Sequence, residues 1–222
     1  MENTPDFPRL FPVQSGNDDS SAASDEPVGQ TSHKLSPAEE WQMNVQAVRR
    51  FSRMGQWSEV LKLLQLLSTK HQNNESYKAL GQRVWVALKS DIPAIDVVQA
   101  LGSLLYTLGP RHEMGGHIAA LAYLMADLRT PEHADRELAQ GQAQQLLSLV
   151  CDAQGIQGQE AFARWASLHR LDDPDHTIAV VMQGLEGMVG AEWWIDRQAL
   201  QRDMEQANAK KRQAADAHAP AL

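Results

Sequence analysis

The fold is decided by residues 36–67, SPAEEWQMNVQAVRRFSRMGQWSEVLKLLQLL, in which two amphipathic helices meet at a short turn. Ser36 stands at a predicted N-cap, Pro37 takes the first helical position and Glu39 the third, which is the pattern of a capping box. Apolar side chains then recur at three- and four-residue steps, as one face of an α-helix requires: Trp41, Val45, Val48 and Phe51. Gly55 ends this helix, and a leucine-rich helix follows.

The rest of the chain repeats this pattern, and we predict an all-α protein of about nine helices joined in hairpins. The internal prolines all lie at predicted helix starts or turns: Pro93, Pro110, Pro131 and Pro174. No segment keeps the two-residue alternation of a half-buried strand. A single helical domain is therefore expected over residues 37–209.

The turn between the first two helices resembles the middle of a tetratricopeptide repeat. Its markers are an aromatic residue, a glycine and a second aromatic around the turn, then the start of a further repeat: Phe51, Gly55, Trp57, Tyr77, Leu80 and Gly81. The resemblance covers about residues 41–88, and from Pro110 onward the hairpins carry no repeat signature. It implies a TPR-like helical solenoid that binds peptides or helices of partner proteins. An irregular solenoid or bundle of hairpins is the alternative architecture.

Charge and composition set two tails apart from the helical domain. Residues 1–36 carry six acidic and two basic side chains, which is half of the net charge of −8. Residues 15–24, SGNDDSSAAS, contain no large apolar side chain, so we predict a disordered acidic tail. A disordered C-terminal tail is predicted over residues 210–222, which begin with a short basic cluster.

Composition also excludes several classes of protein. One cysteine forms no disulfide within the chain, and the acidic balance without a basic stripe argues against nucleic-acid binding. The longest purely apolar run, residues 118–126, is shorter than the roughly 18 residues that a membrane span needs. The N-terminus lacks the basic and apolar regions of a signal peptide. We therefore expect a cytoplasmic protein that has no cofactor and binds other proteins.

Two histidine-containing stretches stay open as alternative sites for a metal or a cofactor. His112 and His117 are five residues apart, about 140° around a helix, so they do not form the metalloprotease motif. A loop site that also uses Glu113 remains an alternative. Residues 168–176, LHRLDDPDH, bring His169 and His176 together with three aspartates. The aspartates around Pro174 are equally explained by helix capping.

The last predicted helix, over residues 191–209, carries a narrow apolar stripe on an otherwise polar surface. Trp193 and Trp194 are adjacent, and on a helix they point about 100° apart, so we do not expect both to be fully buried. Tryptophan is enriched at binding hot spots. We predict a partner-binding or self-association site that contains four residues: Trp193, Trp194, Leu200 and Met204.

The sequence carries no nucleotide-binding loop and no nucleophile motif, and this directs the functional prediction to interaction rather than catalysis. We predict an adaptor, a chaperone, or an assembly or secretion accessory factor in a bacterial multi-protein system. The alternative is a metal- or cofactor-dependent enzyme or maturation factor that uses the His112/His117 or the His169/His176 region.

Overall fold

The computed structural model describes residues 35–70, 73–129 and 133–217, and the acidic tail predicted over residues 1–36 lies almost entirely outside them. The described ranges contain nine helices and no strand, which confirms the all-α prediction. The helices are α1 (Pro37–Arg53), α2 (Trp57–Lys70), α3 (Asn74–Lys89), α4 (Ala94–Leu108), α5 (Gly115–Leu128), α6 (His133–Gln154), α7 (Gln159–Leu168), α8 (Pro174–Val189) and α9 (Arg197–Ala217).

The helix starts follow the capping residues of the sequence. Glu39 N–H donates to Ser36 Oγ at 3.2 Å and Ser36 N–H donates to Glu39 Oε2 at 2.8 Å, so the predicted capping box is formed. Asp173 caps α8 through the backbone N–H of His176, at 3.0 Å. Each of these side chains satisfies a backbone donor that the first turn of a helix leaves free.

Consecutive helices from α1 to α6 pack against one another as hairpins, an arrangement compatible with a helical repeat. The chain then returns, because α8 packs on α3 and α5, and α9 lies against α3 and α1. In an open solenoid each unit contacts only its neighbours in sequence. The contacts of α8 and α9 with α3 are the feature that closes this domain into a bundle.

Helix α3 lies at the centre of the bundle, covered by α2, α4, α8 and α9. Its residues 79–87 are all buried, although they include Gln82 and Arg83. A helix that is buried on all sides is typical of the interior of a larger domain.

Helix α9 continues to Ala217, beyond residue 209, where the pattern predicted its end and the start of a tail. Its last part is rich in alanine, glutamine and lysine, which favour helix even where no apolar face packs. None of the described helices is long and apolar enough to cross a membrane.

Candidate functional site

A concave surface of the described chain lies beside α9, and we call it the α9 groove. Its walls are the first half of α9, the start of α2, the turn between α3 and α4, and the end of α5. The volume is about 730 Å³. Seven apolar residues line it: Trp57, Leu88, Ile92, Leu128, Leu200, Met204 and Ala207. Leu128 is 67% exposed, so a large apolar side chain lies open to solvent at the groove.

Positively charged, negatively charged and uncharged polar side chains also line the groove. The polar residues are Ser58, Lys89, Ser90, Asp91, Arg129, Asp203 and Asn208. Apolar pockets with a few placed polar groups are the usual form of a binding site, with volumes of about 300–1,000 Å³. The lining of the α9 groove is suited to bury apolar side chains of a ligand and to discriminate between ligands by their charged side chains.

The wall formed by α9 is fixed to the turn between α1 and α2. Trp57 Nε1–H donates to Asp203 Oδ2 at 2.8 Å, across 146 residues of sequence. Gly55 lies in this turn with φ of +69°, and a Cβ there would stand 2.8 Å from the same carboxylate oxygen. The glycine therefore serves both the left-handed turn and the close approach of Asp203.

Arg129 fixes the opposite wall. Its guanidinium donates to the backbone carbonyls of Ala87, Leu88 and Ser90, which are the free acceptors at the end of α3. Burial lowers the pKa of Arg129, and the nearby Asp91 carboxylate acts in the opposite direction. A positive charge at a helix C-terminus is stabilised by the helix dipole. Sequence reasoning missed Arg129, because no local pattern shows that the end of α5 meets the end of α3.

The four partner-binding residues that the sequence predicts lie in two different places in the structure. Leu200 and Met204 both line the α9 groove, with Leu200 buried and Met204 half-buried. Trp193 and Trp194 do not line it. They precede α9 instead of belonging to it, so the angular argument for two residues on one helix does not apply to them.

The reason for this late helix start is a set of long-range hydrogen bonds. The backbone N–H groups of Trp194 and Ile195 donate to Gln82 Oε1 at 2.7 and 3.3 Å. Asp196 N–H donates to Ser52 Oγ at 3.0 Å, and its carboxylate accepts from Ala199 N–H, which caps α9. The connection is thus held against the core in a non-helical conformation, and α9 begins only after it.

The two tryptophans lie in different environments. Trp194 is 3% exposed and meets the edge of Trp41, with ring centroids 6.1 Å apart. Trp193 is half-buried, 5.3 Å from the ring of Trp85, and the Arg197 guanidinium stacks over it at 4.6 Å. Such a cation–π contact stabilises packing by about 0.5–2 kcal/mol. Both tryptophans thus pack on the body of the domain, and a role in partner binding stays a prediction.

Three histidines from the two predicted stretches lie together near the start of α5, which is the end of that helix away from the α9 groove. The ring centroid of His117 is 5.5 Å from that of His176 and 6.3 Å from that of His169. His117 is buried, and burial first, then His176 and His169, lower its pKa. Its Nδ1 has no hydrogen-bond partner among the described residues. We call these three residues the histidine cluster.

The other residues of those stretches have local roles. His112 Nδ1 accepts from the backbone N–H of Met114 at 3.2 Å, and Glu113 is exposed. The hydrogen bond from His176 N–H, and then the Arg170 guanidinium at 2.6 Å, lower the pKa of Asp173. In the described ranges no group of three or more His, Cys, Asp or Glu side chains is arranged to hold a metal ion.

Comparison of the chain with protein-family models, with curated proteins and with solved structures finds no match.

Proposed function

We propose that this protein is an interaction module and that its α9 groove binds an amphipathic helix of a partner protein. The observation that carries the proposal is the concave apolar lining, in which Leu128 is 67% exposed while Ile92 and Met204 are half-buried beside it. Burial of such side chains by a partner is favourable by about 25 cal/mol per Å² of apolar surface.

The form of the groove favours a helix as the ligand. Its α9 wall runs from Leu200 to Asn208, which is about 12 Å of helix, or roughly two turns. An amphipathic helix places apolar side chains at i, i+3, i+4 and i+7 into grooves of this kind. The Lys89 ammonium suits acidic residues of such a helix, and the Asp203 carboxylate suits basic ones.

The likeness of α1–α3 to a degenerate tetratricopeptide repeat supports the same proposal, since that family binds peptides and helices. This likeness is the reason for proposing an adaptor, a chaperone, or an assembly or secretion factor rather than an enzyme. The identity of such a module follows from its partner, because folds of this kind serve many functions.

Selection of helical peptides from a displayed library, using the full-length protein, tests the proposal. Peptides that bind are expected to carry apolar residues at helical spacing and charges of both signs. In spectra of the labelled protein they should shift the Trp57 indole and Met204 methyl resonances. The double variant Leu128→Gln, Met204→Gln should weaken binding by at least about tenfold, which corresponds to about 1.4 kcal/mol.

The matched control is Leu138→Gln, which alters an exposed leucine of α6 outside the groove. This variant should bind the selected peptides as the wild type does. Peptides that bind the double variant and the wild type equally well would refute the groove as the docking site.

A further inference from the structure

Helix α7 differs from the other helices of the bundle in how little of it is buried. None of its residues is buried, and Leu168 at its end is 77% exposed. Glycines with positive φ, Gly155 and Gly158, stand before it, and Arg170 with φ of +53° stands just after it. A helix with few buried contacts opens at a lower free-energy cost than the core around it.

The contacts that do hold α7 are concentrated at the start of α5. The Trp165 ring lies directly on Gly116, where a Cβ would stand 2.8 Å from Trp165 Cζ2. One turn further, His169 faces His117, and its ring is 5.8 Å from that of Trp165. The attachment of α7 and the histidine cluster therefore form one contact region.

Three imidazoles from three parts of the chain meet in this region. His176 from α8 and His169 from the end of α7 are the two titratable groups that act on His117. From α4 and α6, which also pack on α5, no charged group of the described residues acts on it. Asp173, which pairs with Arg170, lies near His176 and is stabilised by positive charge there. Protonation of His117 thus places positive charge beside two neighbouring imidazoles, and no carboxylate of the described residues acts on His117 to offset it.

We propose that α7 is a proton-sensitive latch, which lies against α5 at neutral pH and detaches when the histidine cluster takes up protons. The sign follows from linkage. Burial keeps the pKa of His117 below that of a free imidazole, so the detached state binds protons more strongly than the docked state. Docking is fully favoured above the ordinary imidazole range and weakens as the pH falls through it. The latch does not depend on the α9 groove.

Hydrogen exchange of the full-length protein, in buffer with a chelator, tests the latch. Protection of the α7 amides, corrected for the intrinsic pH dependence of exchange, should fall severalfold between about pH 7.5 and about pH 5.5. Protection of α3 should stay constant. Substitution of the exposed residue His169 by glutamine should reduce the pH dependence of α7 protection. The triple variant, which combines His169→Gln with His117→Phe and His176→Gln, should abolish it. His112→Gln, which lies outside the cluster, should leave it intact.

A charge-independent variant separates the latch from general acid sensitivity. Gly116→Ala inserts a methyl group against the Trp165 ring, so α7 should lose protection already at pH 7.5, while α5 keeps its helix. The latch is refuted if α7 protection does not change with pH in the wild type. It is equally refuted if His169→Gln and the triple variant keep the full pH dependence, which would assign that dependence to other groups.

Discussion

Gln82 is a fully buried polar residue at the centre of the bundle, and its side chain joins parts of the chain more than a hundred residues apart. Its Oε1 accepts both backbone N–H groups that the connection before α9 leaves free, those of Trp194 and Ile195. A buried N–H without an acceptor costs about 1–3 kcal/mol. Gln82 therefore holds the chain on the core before α9, together with Ser52, which accepts from the backbone N–H of Asp196.

The substitution Gln82→Met should destabilise the protein by about 2–4 kcal/mol, because it keeps the side-chain volume but leaves two buried donors unpaired. Chemical denaturation measured by circular dichroism gives the change in the free energy of unfolding. Gln99→Met, at an exposed position of α4, is the matched control and should change it by less than about 0.5 kcal/mol. Equal stabilities of the two variants would contradict the role of Gln82.

At the scale of single residues, the sequence predicted the capping side chains but not the long-range ones. Ser36 and Asp173 act on backbone groups three residues away, and their neighbours in sequence are enough to identify them. Gln82 and Arg129 act on backbone groups about 40 to 110 residues away. No periodicity within a helix contains that information.

At the scale of elements, α1 is the helix whose start is best determined by local chemistry. The capping box joins Ser36 and Glu39 by two reciprocal hydrogen bonds. The bond from the Ser36 backbone N–H, and then the bond to its side chain, lower the pKa of Glu39. This part of the cap is present above the ordinary pKa of glutamate and is lost as the pH falls below it.

The substitution Ser36→Ala should cost about 1 kcal/mol of stability at neutral pH, because the N-cap acceptor is removed. Comparing the unfolding of the variant and the wild type at neutral pH and at about pH 3.5 measures it. The difference should shrink in acid, where protonated Glu39 no longer completes the box. Ser58→Ala, at an exposed position near the start of α2, serves as the control. A difference that grows in acid would contradict the assigned cap.

Element boundaries were predicted less well at the C-terminal end. The predicted apolar stripe began at Trp193. In the structure only its part from Leu200 onward is a face of α9, and Trp193 belongs to the non-helical connection before that helix. Spacing does not distinguish the helix from the connection, because apolar residues of both pack on the same core. The histidine cluster was missed for a related reason, since His117 belongs to α5 while His169 and His176 flank the start of α8.

At the scale of the whole molecule, the return of α8 and α9 to α3 determines the architecture. The hairpins of α1–α6 follow from amphipathic periodicity and short turns. The all-round burial of α3 depends on helices that come more than ninety residues later in the chain. Sequence patterns therefore predicted the class of the fold but left open whether it was a solenoid or a bundle.

Two truncations should separate the part of α9 that packs on the core from the residues beyond Ala209. A chain ending at Gly190 loses Trp194, Ile195 and Leu200 from the core, and should lose its cooperative thermal transition. A chain ending at Ala209 keeps them together with the lining of the α9 groove, and should unfold cooperatively. Calorimetry and binding of a hydrophobic dye measure both. Cooperative unfolding of the shorter chain would contradict the bundle as a single unit.

Helix α9 contributes both to the core and to the α9 groove, so the stability of the chain depends on whether the groove is occupied. Leu200 belongs both to the hydrophobic core and to the lining of the α9 groove, and Asp203 anchors the same helix through Trp57. A helix seated in the groove binds only the folded chain, so it stabilises that chain by mass action. Under the proposed function, a chain whose groove is empty would lack this stabilisation and would unfold more often than an occupied one. The amount of this protein in a cell would then follow the amount of the helix that occupies the groove.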